Sequence, residues 1–378
     1  MSVASLAARR RVNRSSESFR LTLLCVLISL FTLAWYSSGP GAGPDSNTAR
    51  DRDTMTQPHL DASAAHDASA NADAQRGLRN QANPADIATD SSLAMEIAAK
   101  RHQMPLRLIS YNVRYATTWQ VGGEQPWRIR GPKLCTQLDF ITAGHENAFV
   151  CLQECLYSQI KDIGAQLGQS WAYIGRGRDK KETDGEFSPI FYRPDVWKCT
   201  HSETRWLSPT WDKPSRGWDA AMNRIVTIGE FTHRVTGTKV VVMSTHFDHI
   251  GVEARKNSAK LLIKFAKEWE SKNDLAAVLI GGDFNSTPDD GAYQLMVAEG
   301  SGMSDISDLV PAERRYGNHL TYTSFGEPNE WPQRIDFLFI QEPRTARVNT
   351  FGVLANSFDD NIRISDHRPV VADMDIRA

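Results

Sequence analysis

The sequence predicts a layered α/β domain over residues 104–378, and three observations lead there. Apolar runs of strand length recur throughout that region. Segments with helical spacing lie between them. Many of the strands are almost continuous Val, Ile, Leu and Phe, the composition of sheets buried on at least one face. Strands and helices mixed in this way form stacked layers, and the region is long enough for two packed sheets.

The elements follow in order. LRLISYNVRY opens the domain as an apolar strand running into a polar turn. AFVCLQE, SPIFYR, RIVTIGEF, KVVVMSTH, AAVLIGGDF, RIDFLFI and PVVADMDI read as further strands. Helical patterns occupy 133–142, 158–166, 251–271 and 291–298. No internal repeat is evident.

Ahead of the domain the chain changes character twice. Residues 1–20 form a basic segment, with Arg9, Arg10, Arg11, Arg14 and Arg20 against Glu17. Residues 21–36, LTLLCVLISLFTLAWY, are uncharged and close on Trp35 and Tyr36, as interfacial residues do. At ~1.5 Å per residue this span reaches roughly 24 Å, enough for a thin membrane of the early secretory pathway. The preceding arginines favour a cytosolic N-terminus, so the expectation is a type II signal anchor with the domain in the lumen or outside. Two other readings of the leader are a cleaved signal peptide, giving a secreted protein, and a mitochondrial presequence with an inner-membrane span. Residues 37–103 are rich in Ala, Ser and Asp and poor in large apolar side chains, which predicts a flexible stalk, with a short helical pattern at 93–100.

Composition narrows the classes. The net charge of −2 excludes a chain that is basic throughout, though not a local basic groove. Cys25, Cys135, Cys151, Cys155 and Cys199 show neither CxxC nor a Cys/His zinc spacing, so neither a zinc site nor a disulfide framework is expected, and a single bridge stays open.

Polar residues stand where apolar strands finish: Asn112, Glu154, His246, Asp248, Asp283, Asn285 and Asp336, with Asp366 and His367 just before the last strand. Loops at one edge of packed sheets are where sites are built. Carboxylates and amides are hard oxygen donors suited to Mg²⁺ or Mn²⁺, and histidines supply proton transfer and phosphate hydrogen bonds. Taken singly, each of these is an ordinary turn or capping residue. The inference rests on their co-occurrence in order.

The ordered set SYNVRY, LQE, GEFSPIFYR, STHFDH, GGDFNSTP, RIDFLF and SDHRPV resembles the endonuclease/exonuclease/phosphatase superfamily. That group holds deoxyribonuclease I-like nucleases, abasic-site endonucleases, inositol polyphosphate 5-phosphatases, neutral sphingomyelinases and deadenylases. The resemblance implies a four-layer α/β sandwich, two mixed β-sheets face to face with helices outside. It implies Glu154 as the Mg²⁺ ligand, with Asn112 beside the metal and Asp366 a metal-site carboxylate. Asp283 matches the aspartate that orients or deprotonates the attacking water, and Asn285 the asparagine that holds water and a phosphate oxygen. His367 matches the histidine on the scissile phosphate, Asp336 its orienting carboxylate and His246 the second histidine. Glu186 is placed by its spacing from Arg193 alone. Asp248 and Arg255 are supporting residues without an assigned step.

The expected activity is therefore Mg²⁺-dependent phosphoester hydrolysis of the phosphodiesterase or nuclease type, by in-line attack of an activated water and without a phosphoenzyme. The alternative is a phosphomonoesterase of sugar, inositol or lipid head-group phosphates. A non-catalytic binding scaffold is the third reading, and the filled motif positions speak against it. Nucleic acid, lipid and small molecule all stay open as substrate. The basic loop 176–181 reads equally as a second phosphate contact or a solvated turn, and Trp206, Trp211, Trp218, Trp119 and Trp127 as pocket rim or packing.

Overall fold

Period-two alternation along the strands sorts the domain into layers. In the computed structural model, which describes residues 103–272, 274–343 and 346–378, the chain runs β1 (Gln103–Asn112), α1 (Trp127–Thr142), β2 (Ala148–Gln153), α2 (Tyr157–Leu167), β3 (Ala172–Ile174), β4 (Ile190–Tyr192), β5 (Trp197–Trp206), β6 (Ile225–His233) and β7 (Lys239–His246). It continues through α3 (Val252–Glu270), β8 (Leu275–Asp283), α4 (Gly291–Met296), β9 (Met303–Asp305), β10 (Arg315–Gly317), β11 (Asp336–Gln341), β12 (Arg347–Val353) and β13 (Val370–Arg377). One mixed sheet has the order β10-β12-β13-β1-β2-β4-β3 and the other β5-β6-β7-β8-β11-β9.

One set of strand residues meets between the sheets: Leu106 and Leu108 of β1, Val240 and Val242 of β7, Leu279 of β8, Leu338 of β11. The intervening residues face outward. Tyr111 and Val150 meet Leu134, Leu138 and Ile160 of α1 and α2, while Val241, Met243, Val278 and Ile280 meet Leu262 and Phe265 of α3. The result is the expected four-layer sandwich. Burial of one such aliphatic side chain contributes about 1.5–3 kcal/mol, so the three clusters dominate the stability of the fold.

The same alternation places the site. Asn112, His246, Asp283 and Asp336 share parity with the inter-sheet residues of their own strands, and each stands at a strand end. Ladder register sets His246 and Asp336 on either side of Asp283. Gly281 is needed here, because a Cβ on it would lie 3.0 Å from the Cys151 Cβ of the facing sheet. Its absence lets the sheets close just beneath the edge that carries Asp283.

Helix α1 begins at Trp127, earlier than the expected 133, and carries Pro132 inside it. Tertiary contacts of Arg130 override the proline there. Strands β3, β5, β9, β10 and β12 were not among those expected. The cysteines Cys135, Cys151, Cys155 and Cys199 are all free thiols, so no disulfide joins them. The segments read as basic leader, signal anchor and stalk lie outside the described residues, apart from Gln103, which opens β1. Among the described residues no helix is long and apolar enough to cross a membrane.

Candidate active site

Asp283 is the hub of the strand-end cluster. Its Oδ2 accepts a hydrogen bond from Asn112 Nδ2 at 3.0 Å, and lies 3.5 Å from His246 Nε2 and 3.6 Å from His367 Nε2. Its Oδ1 accepts from the Asn285 backbone N–H at 2.9 Å. Asn285 sits in the left-handed region (φ 46°), a strained turn that brings its amide back over the carboxylate. Burial, with the nearby Asp336 charge, pushes the Asp283 carboxyl up to about 7.

His367 is gripped from behind. Its Nδ1 lies 2.8 Å from Asp336 Oδ2, and both side chains are buried. Burial alone would lower this imidazole, but Asp336, Asp283 and Asp366 outweigh it and push it up to about 10. His246 differs. Burial and the charges of Arg224 and Arg178 hold it well below its ordinary value, so it is neutral at pH 7. Its Nδ1 lies 3.8 Å from Glu186 Oε2, which also accepts from Arg178 Nη1 at 2.7 Å. Burial, then the charge of Glu154, pushes the Glu186 carboxyl up to about 7.

Glu154 follows β2 with φ 60°. Its Oε1 accepts from Asn112 Nδ2 at 3.0 Å and its Oε2 from the Tyr115 backbone N–H at 3.1 Å. Against the cost of burial, Arg114, Asn112, His367 and the Tyr115 N–H keep it below the usual carboxylate range. Asp366 accepts from Ser365 Oγ at 3.2 Å and is pushed up to about 6 by burial and by Glu154. Asp366 is buried and the Glu154 side chain 13% exposed, and these two mutually repelling carboxylates fit a hard divalent cation, which would relieve the repulsion. The Asn112 amide turns its Nδ2 to Glu154 and its Oδ1 accepts from the Arg114 N–H at 2.9 Å, so it positions Glu154 rather than adding an oxygen donor. Asp283, Asp336 and His367 also bring ligand atoms within 4.8 Å of one another. There, however, Asp336 Oδ2 is taken up by the His367 ring, so that trio reads as a proton-bearing group rather than the cation's place.

Glu154, Glu186, His246, Asp283, Asn285, Asp366 and His367 line one concave pocket of about 770 Å³, with Asn112 and Asp336 hydrogen-bonded to its lining residues. All nine candidate residues therefore converge, and they come from both sheets. Asp248 is 1% exposed and Arg255 pairs with Asp290 at 3.1 Å, so both brace the pocket wall.

Other expectations divide. In the basic loop, Arg176 donates to the carbonyls of Asp179 and Lys180, while Arg178 turns inward to Glu186. Trp206 packs under Arg176 and Trp211 against Phe265 and Arg205. Trp127 bonds to Asp162 and Trp119 is 87% exposed. None of these tryptophans, nor Trp218, lines the pocket, whereas Met222 does. Missed by sequence reasoning were Arg114, Arg224, His249, Tyr322, Glu330 and Gln333, all pocket residues. The second histidine of STHFDH was a visible signal for His249. Nothing in the sequence marked Tyr322 or Glu330.

The model of the Endonuclease/Exonuclease/phosphatase family matches residues 109–367. An endonuclease/exonuclease/phosphatase from Bacteroides vulgatus superposes with TM-score 0.64 at 32% identity, covering 72% of this chain and 100% of that one. The mannosyl-6-phosphatase of Bacteroides thetaiotaomicron superposes with TM-score 0.62 at 31% identity, covering 71% and 99%. A curated relative, the CCR4-Not complex 3'-5'-exoribonuclease subunit Ccr4 of Debaryomyces hansenii, is 24% identical over 221 residues, which are 50% of this chain. The match spans only 26% of that relative's length. This chain belongs to the endonuclease/exonuclease/phosphatase family, a group of hydrolases acting on phosphoesters.

Proposed function

We propose that the chain hydrolyses phosphate monoesters of small polar molecules with a divalent cation, Mg²⁺ or Mn²⁺, as cofactor. The observation that carries this reading is Asp283 at the base of the pocket, between His246 and His367 at 3.5 and 3.6 Å. The choice of a monoester rests on the pocket's concave form and on the Glu330 carboxylate in its wall, which repels a continuing phosphate backbone. Similarity to a mannosyl-6-phosphatase at 31% identity points the same way.

The residues divide the work. Glu154 and Asp366 would hold the cation, with Asn112 Nδ2 positioning the Glu154 carboxylate, and the cation would supply neutralisation of phosphate charge. Asp283, basic enough near neutrality, accepts a proton from the attacking water. Asn285 donates through Nδ2 to the Phe247 carbonyl at 3.0 Å, which leaves its Oδ1 free to hold that water. His367, kept cationic by Asp336, donates to the phosphoryl oxygens as charge gathers on them. The buried thiols Cys151 and Cys155 are pushed far from their thiolate forms, Cys151 to about 12, and are not nucleophiles. Attack by water is direct.

A second reading, phosphodiester or nucleic-acid cleavage, is favoured by the similarity to an exoribonuclease subunit. One assay separates the two. The chain, Asp283→Ala and His367→Ala are compared on p-nitrophenyl phosphate and bis(p-nitrophenyl) phosphate, with and without Mg²⁺. Metal-dependent monoester cleavage lost in both variants supports the proposal. Cleavage of the diester alone moves the assignment to the second reading, and a trapped phosphoenzyme rules out direct attack. For residues 21–36 the proposal remains a type II signal anchor, on their apolar composition and basic flank. Release of the full chain from membranes by alkaline carbonate would overturn it.

A further inference from the structure

Beyond the reacting groups, the pocket wall on the β7 side holds a chain of three side chains with fixed polarity. Asp248 Oδ1 accepts from the backbone N–H of Gly251 at 2.8 Å and of Ile250 at 3.1 Å. Its Oδ2 faces the Met222 N–H at 3.3 Å and Arg224 Nε at 3.4 Å. Arg224, only 5% exposed, reaches on with Nη2 to His249 Nδ1 at 3.0 Å. A guanidinium has donors only. His249 Nδ1 must therefore be the acceptor, and its ring proton stands on Nε2. An exposed, pocket-lining histidine is thus locked as a neutral donor whose orientation is set by buried residues behind it.

The β11 side carries the opposite polarity. Glu330 takes the Tyr322 hydroxyl on Oε2 at 3.1 Å and lines the pocket. The Tyr322 ring stands 5.1 Å from the His367 ring, which ties this wall to the reacting end. The strand order β7-β8-β11 sets the two walls on opposite flanks of Asp283. A second phosphate would meet the Glu330 carboxylate and be repelled. A neutral group that both donates and accepts, such as an alcohol hydroxyl, satisfies both walls at once.

We propose that the pocket mouth is a hydroxyl-binding subsite for the leaving group, with His249 Nε2–H donating to one hydroxyl oxygen and Glu330 accepting from another. Substrates are then polyhydroxylated phosphate monoesters. This subsite rests on the monoester reading above. It is tested on the full chain in detergent micelles, with mannose 6-phosphate and p-nitrophenyl phosphate as probes. The quantity read is the ratio of kcat/KM on the sugar phosphate to kcat/KM on the aryl phosphate. That ratio falls about tenfold in His249→Ala and in Glu330→Ala, mainly through KM, as expected when a hydrogen bond to a substrate hydroxyl is lost. His249→Gln, which keeps a donor, recovers most of it. Arg224→Met gives a loss like that of His249→Ala, because the ring is no longer held. Unchanged ratios, or equal losses on both probes, overturn the subsite. A chain that cleaves only the aryl phosphate overturns the subsite and leaves the monoester reading standing, whereas one that cleaves neither overturns both.

Discussion

His367 Nδ1 lies 2.8 Å from Asp336 Oδ2, and this buried pair fixes which nitrogen of the ring faces the pocket. The other nitrogen, Nε2, is aimed at Asp283 Oδ2 at 3.6 Å. Asp336 thus does two things for His367: it sets the ring's direction and holds its proton against burial. The second Asp336 oxygen, Oδ1, is buried with no hydrogen-bond partner among the described residues, so the carboxylate's charge bears on the imidazole.

Replacing Asp336 by Asn keeps the shape and removes that charge. We expect kcat to fall about 10²–10⁴-fold, the range found when an acid–base group is lost or misdirected. The alkaline limb of the rate profile should shift downward from about 10, because the carboxylate that raises the imidazole is gone. A full pH–rate profile of the variant checks both. An unchanged alkaline limb would mean that Asp336 does not tune His367.

The wild-type profile follows from the same two groups. Asp283 must be ionised to accept a proton, and burial places its carboxyl at about 7 in the metal-free site. His367 must be protonated and stays so to about 10. The plot of kcat/KM against pH should therefore rise through neutrality and fall in the alkaline range. Saturating Mg²⁺ should move the acid limb lower, since a cation nearby favours carboxylate ions. A rate that stays flat from pH 5 to 9 would contradict the assignment of Asp283 as base.

Asp283 also links pH to stability. Its folded-state carboxyl lies above the ordinary value of 3.8, so its contribution is fully present below that value and is lost as pH rises through about 7. At pH 8 the metal-free protein carries a buried charge that disfavours folding. Asp283→Asn removes it, and should raise the melting temperature by about 3 °C at pH 8 while abolishing turnover. At pH 4 the difference should vanish. Thermal melts at the two pH values decide it.

What the sequence disclosed, and what it hid, has a physical basis. Asp283, His246 and Asp336 were readable because each bounds a largely apolar strand, His246 and Asp283 as its last residue and Asp336 as its first, where alternation and register do the rest. Strand β5 was missed because it is a sheet edge with a largely solvent-facing, polar sequence, WKCTHSETRW. Such a strand lacks the apolar run that marks its inner neighbours. The expected start of α1, 133, falls just after Pro132, whereas contacts from Arg130 to distant loops carry the helix back to Trp127. Tyr322 and Glu330 lie in an irregular loop and reach the site only through tertiary packing. No local pattern encodes that placement.

Glu154 offers a direct test of the cation site. Glu154→Gln keeps the hydrogen bond from Asn112 possible and removes the charge. Mg²⁺ affinity, read by calorimetry on the full chain, should fall at least tenfold, and Mg²⁺ needed for half-maximal activity should rise with it. Chelation should silence the wild type reversibly. Unaltered Mg²⁺ binding in Glu154→Gln would shift the cation to the Asp283, Asp336 and His367 group.

Arg130 gives the last prediction, because it couples stability to the site. It is fully buried and spends all five guanidinium N–H groups. Nε donates to the Gln125 carbonyl, Nη1 to those of Val113 and Ile364, and Nη2 to the Arg114 carbonyl and Glu124 Oε1, at 2.8–3.3 Å. These partners flank Asn112 on one side and Asp366 on the other. Arg130→Met fills similar space but strands the carbonyls in the interior and leaves the Glu124 carboxylate with Arg114 at 3.6 Å and the Val121 N–H. Losing one partner of a buried ion pair costs about 3–5 kcal/mol, and urea unfolding should show a loss of that order. Arg130→Lys should recover only part, since a single ammonium cannot reach every acceptor of a planar fork. Activity in the folded fraction should fall in both, with Mg²⁺ affinity weakened, because the loops that carry Asn112 and Asp366 are no longer tied together. A variant as stable and as active as the wild type would show that the two loops hold their positions without Arg130.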